Sequence, residues 1–157
     1  MPFDRSLTEA RLALDLIASA DLPKLAIEAL EAGLDGVAIC RLAVFESPTY
    51  FEVRDLLPRA MEEMGVLQIP KGEASRRLAK QLAEQILGSN DDPLQHLRDF
   101  ESLWIRAGHP KEIEGVASLY DDVWVAECSG QSDKEIRKWV MARLRAVAQS
   151  QDALPRK

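Results

Sequence analysis

The sequence predicts an all-α fold, a compact bundle or short curved array of about seven to eight helices. Apolar residues recur at i, i+3 and i+4 instead of alternating. Helix-starting boxes and helix-stopping glycines punctuate the chain at short intervals. No Asn-Gly or Asp-Gly pair joins two β-branched runs, since Asp35-Gly36 lies between helical patterns.

Ser6-Leu7-Thr8-Glu9 has the spacing of a capping box and predicts a first helix from about Leu7 to Ser19. Asp21 and Pro23 open a second, whose Leu22, Leu25, Ala26, Ala29 and Leu30 keep helical spacing until Gly33 stops it. Asp35 is placed to cap a third, Gly36 to Val44, apolar on most sides and therefore expected to be central. Thr49-Tyr50-Phe51-Glu52 is a second box, opening a fourth helix that ends at Gly65 and should kink or break at Leu57-Pro58.

A fifth helix carries Ala74, Leu78, Leu82 and Ile86, with Ala79 and Ala83 beside them, up to Gly88; those alanines allow close helix approach. Asp92-Pro93 is a cap and first-turn pair for a sixth, with Leu94, Leu97, Phe100, Leu103, Trp104 and Ala107 on its apolar face and Gly108 at its end. Pro110 to about Trp124 reads as a seventh helix weakened by Gly115, with Val123-Trp124-Val125 equally suited to extend. Ser132-Asp133-Lys134-Glu135 boxes the last helix, which runs through Ile136, Trp139, Val140, Leu144 and Val147.

With 157 residues, 46% of them hydrophobic, the chain has apolar mass for one helical domain over 1–157, with a frayed tail from about 150 to 157. No apolar run reaches the roughly 20 residues that span a bilayer, so no membrane association is expected. Nor does Met1 to Ser6 read as a signal or transit segment, so a cytoplasmic location is expected. Cys40 and Cys128 lack a CxxC partner and read as buried or idle thiols.

The net charge of -6 is local. Met1 to Gly65 holds six Lys/Arg against twelve Asp/Glu, whereas Val66 to Lys157 holds fourteen of each. Negative potential on one side of a surface steers a basic partner, and it disfavours nucleic acid, because the basic stretch Lys134 to Arg145 is offset by Asp133 and Glu135. The expected partner-binding residues are the acids Glu46, Glu52, Asp55, Glu62 and Glu63 with Tyr50 and Phe51 as apolar anchors, and Asp121, Asp122 and Trp124 further on. Trp104 and Trp139, on apolar helical faces, are expected in the core.

No nucleophile elbow, P-loop or dinucleotide fingerprint occurs, so neither catalysis nor a cofactor is expected. Asp92 and His96, four apart, together with Asp121 are the material for an alternative metal-dependent hydrolase, with Asp91 or Asp99 adding oxygen. Their spacing matches no histidine metal motif, and Asp92 already serves as a cap. A self-associating regulatory adaptor is a further alternative.

Ala29-Leu30-Glu31-Ala32-Gly33-Leu34-Asp35, then Arg41-Leu42-Ala43, then Phe51-Glu52-Val53-Arg54-Asp55-Leu56-Leu57 resembles a group of small, uncharacterised bacterial helical proteins. Those share an A-L-x-x-G-L-D-S joint, an R-x-L-A segment and an E-V-x-x-L helix closing in E-L-G. This chain has Gly36 where serine is usual and closes in Met64-Gly65, while Ala83, Ile86, Gly88, Asp92 and Pro93 look like the group's second common segment. The resemblance implies a helical fold and carries no activity. By class alone, a small acidic helical domain without catalytic motifs is similar to immunity proteins and antitoxins, non-enzymatic modules that dock on a basic partner protein.

Overall fold

Asp4, not Ser6, opens the first helix, α1 (Arg5–Ala13), its carboxylate accepting the Leu7 N–H at 3.0 Å. Glu9, the expected far end of the box, is buried instead and accepts the Leu67 N–H at 3.1 Å, tying α1 to the end of its unit. The helix stops six residues short of Ser19: Asp15 turns to a φ of 52° and Leu16 N–H returns to the Arg11 carbonyl, closing the last turn.

The computed structural model describes residues 2–150, and the chain divides into two units, one ending at Ile69 and one beginning at Pro70. Among the described residues every regular element is helical. The expected fourth helix is two, the expected seventh is two, and the eight segments read from the sequence become ten helices among the described residues.

In the first unit α2 (Leu22–Glu31) follows a 3-10 turn at Ser19–Asp21. That turn holds Asp21 in helical geometry, so its side chain makes no cap bond. Gly33 supplies the expected stop, with Leu34 N–H returning to Ala29 at 3.0 Å. Next comes α3 (Val37–Ala43), which buries Ala38, Ile39 and Leu42 against Leu22, Leu25, Ala26 and Ala29 of α2, while Val37 and Cys40 face outward. It is one-sided, not central. The expected cap, Asp35, is replaced by a residue from far along the chain: Glu63 Oε2 accepts the N–H groups of Ala38 and Ile39 at 2.8 and 3.0 Å. Gly36 makes room for it. A Cβ there would overlap the Glu63 carboxylate and lie 2.9 Å from the Glu63 Cβ.

The box at Thr49 and Glu52 is present, but its helix α4 (Tyr50–Val53) is one turn long. The chain breaks at Arg54 to Leu56, upstream of Pro58, and Pro58 sits in the first turn of α5 (Leu57–Glu63), where a missing N–H costs nothing. Val53, Ala60, Met64 and Val66 complete this core.

The second unit is built on α6 (Lys71–Gly88) and α10 (Asp133–Ala148), which pack against each other, with Ala79 and Ala83 of α6 fully buried in the core. Asp92 caps a 3-10 turn at Pro93–His96, and α7 (Leu97–Arg106) follows, burying Phe100 completely. A 3-10 turn at Lys111–Ile113, α8 (Glu114–Ala117) and α9 (Leu119–Cys128) replace the irregular seventh helix, so Val123 to Val125 are helical. Trp104 and Trp139 are half-buried, their indole N–H groups donating to the Pro110 carbonyl and the Gln131 side chain. The Ser132 and Glu135 box closes as expected. Both cysteines are exposed, and tail residues 151–157 lie outside the described residues.

Gly36→Ala should destabilise the chain by about 2 kcal/mol in urea unfolding, because the new methyl meets a seated carboxylate. In a Glu63→Gly background, which removes both carboxylate and Cβ, the same change should cost under about 0.5 kcal/mol. Equal costs in the two backgrounds would contradict the contact.

Candidate functional site

The α4 turn is held locally before it is held by packing. Glu52 accepts from the Thr49 N–H at 2.7 Å and from the Thr49 hydroxyl at 2.8 Å. The backbone bond first, then the hydroxyl, draws the Glu52 carboxyl below the usual glutamate range. Val53 is the buried residue of this turn, which sends its neighbours outward: Tyr50 is 60% exposed and Phe51 74%. Their rings pack edge to face with centroids 5.9 Å apart, and the Arg54 guanidinium lies 5.6 Å from the Phe51 ring centre.

A trough lies to either side. One, of about 520 Å³, is lined by Tyr50, Arg54, Leu57, Met61, Glu62 and Leu67 among others. The other, of about 460 Å³, is lined by Arg41, Val44, Phe45, Glu52, Asp55 and Leu56. The α4 turn is therefore a crest with an apolar tip and carboxylates on both flanks. Exposed Val44 and Leu67 widen its apolar area. Neither stood out in the sequence, because each follows a helix end where periodicity gives no face.

Of the expected partner-binding residues, the fold gathers Tyr50, Phe51, Glu52, Asp55 and Glu62 on this face. Glu46 is exposed on the connection between α3 and α4. Glu63 is committed inward to the α3 amides, with Arg59 3.5 Å from its other oxygen. Asp121, Asp122 and Trp124 are exposed on α9 of the second unit, Asp122 accepting from the Ser118 hydroxyl at 3.1 Å. The acid excess is itself displaced from α4. Residues 15–35 carry Asp15, Asp21, Glu28, Glu31 and Asp35 against Lys24 alone, which accounts for four of the six net charges. A count by segment shows this from the sequence.

The alternative hydrolase residues are otherwise engaged. Asp92 accepts the Leu94 N–H at 3.2 Å and an Arg137 N–H at 2.8 Å. His96 stands 3.6 Å from Asp91 and 3.5 Å from Asp99, and Asp121 is on α9. Among the described residues, no group of three or more His, Cys, Asp or Glu side chains gathers in a metal-binding arrangement. No helix among them is long and apolar enough to cross a membrane.

No protein-family model matches the sequence, and no curated protein or solved structure matches it either.

The Arg137 hydrogen bond, outweighing partial burial, holds the Asp92 carboxyl below the ordinary aspartate range. Since the folded value lies below the unfolded one, the stabilisation is full above the unfolded value and is lost as pH falls through the folded value. Arg137→Met should move the Asp92 titration upward in carboxyl-carbon NMR and blunt the acid-side loss of stability. A midpoint unmoved by the substitution would contradict the pairing.

Proposed function

We propose that this chain is a non-enzymatic protein-binding module of the immunity or antitoxin kind, acting in the cytoplasm and docking on a basic partner protein through the α4 face. The exposure of Phe51 at the crest carries the reading: a large aromatic held outward by a fixed one-turn helix, flanked by carboxylates, has the composition of an interface anchor. Water is a poor environment for that ring, and a partner pocket that covers it together with Tyr50 gains the energy of the buried apolar area.

Charge divides the labour. The six excess carboxylates of the first unit set up a field that raises the encounter rate with a cationic surface, whereas the aromatic crest slows departure. The fragment resemblance around residues 29–57 falls on this same unit and fits a bacterial origin for the module.

The test is association with a basic protein encoded beside this chain, followed by stopped flow. The association rate should fall at least about tenfold between 50 and 500 mM salt. Phe51→Ala should weaken the complex by about 2 kcal/mol, mostly in the dissociation rate. A salt-independent rate, or an Ala variant that binds as tightly as the parent, would contradict the proposal.

A further inference from the structure

The second unit contains a groove of about 300 Å³ that the α4 face does not involve. Ala79 of α6, Ile113, Val116 of α8 and Val147 of α10 give it an apolar lining, and two guanidinium groups, Arg76 and Arg143, stand at it. The Glu73 carboxylate holds Arg76 through bonds of 3.0 and 2.9 Å. Arg143 is exposed and donates one N–H to the Gly115 carbonyl at 3.2 Å, which uses one of the five donors a guanidinium carries.

Gly115 points the same way independently. It is the second residue of the one-turn α8, and glycine has the lowest helix propensity of the residues other than proline. Its backbone is not left-handed, and a Cβ added there would meet nothing within 4 Å. Neither conformation nor packing calls for glycine at this position. Its carbonyl accepts from Arg143 at 3.2 Å and from the Ser118 hydroxyl at 3.3 Å, and the space a side chain would take at this wall of the groove is open.

We infer that this groove binds a small amphipathic monocarboxylate, its alkyl body on Ile113, Val116 and Val147 and its carboxylate on Arg143. The sign follows from two guanidinium groups, Arg76 and Arg143, against the one carboxylate that lines the groove, Glu112, and the single charge from Glu112, which opposes a second anionic group. The volume lies at the small end of the range that holds organic ligands, so a single chain of about ten carbons fits better than a longer one. This inference is independent of the α4 face.

Sodium decanoate is the probe, titrated into the full chain by calorimetry and by amide NMR, with decyltrimethylammonium as the tail of opposite charge. The expected result is saturable one-to-one binding of decanoate with shifts at Ile113, Val116 and Val147, weakened about tenfold by Arg143→Gln. Gly115→Ala should raise the thermal midpoint by about 2 °C, showing that glycine is not kept for the fold. Gly115→Leu should stay folded and lose decanoate binding at least about tenfold, because its side chain fills the groove. Non-saturable binding, shifts confined to other residues, equal binding of the cationic probe, an Arg143→Gln variant of unchanged affinity, or a lower melting point for Gly115→Ala would each overturn it.

Discussion

Helices of four to ten residues do not persist alone in water, so the first unit depends on tertiary partners for its helix ends as much as on its core. The contact that decides this is the Glu63 carboxylate seated on the N–H groups of Ala38 and Ile39. It satisfies two orphan donors, places a negative charge at the positive end of α3, and locks α5 to α3 with a single side chain. Gly36 is the concession that allows it, and Glu9 on the Leu67 N–H repeats the device at the unit's other seam. At α3 a distant acid does what a local Ser or Asp would do, and at Leu67 an acid satisfies an amide of the connecting chain.

The α4 crest follows from that frame. With α3 and α5 locked, the connecting chain has room for one helical turn, Val53 fills the core beneath it, and Tyr50 and Phe51 are left with no interior to enter. Their exposure is therefore a consequence of geometry that the sequence has not relieved by a polar substitution. Solvation also gives the acids different roles. Glu52 is bound by Thr49 yet open to solvent, whereas Glu63 has one oxygen on the α3 backbone and the other beside Arg59.

The legible parts of the fold were those written in local chemistry. The helical class, the glycine stops at Gly33, Gly65 and Gly108, and the boxes at Thr49 and Ser132 all depend on residues within a turn of one another. What was not legible depends on distance. Ser6 and Glu9 satisfy the spacing of a box, but Asp4 competes for the same helix start and Glu9 is drawn into a contact 58 residues away. Asp35 loses to Glu63 for the same reason. At the α4 face the residue types were readable, since aromatics and acids cluster there, but the direction of each side chain was not. Glu63 and Glu62 are neighbours in the chain, and the fold sends one into the frame and the other to the surface.

A long-range carboxylate, not a local cap, thus holds the start of α3, and a second ties α1 to the end of the unit; amide hydrogen exchange on the intact chain tests this most directly. The Ala38, Ile39 and Leu67 amides should be protected to the level of the unit's core and exchange together, because each is bound by a carboxylate from another element. If those three amides exchange at the rate of open solvent while Leu42 and Ala60 stay protected, the frame described here is not what holds the unit.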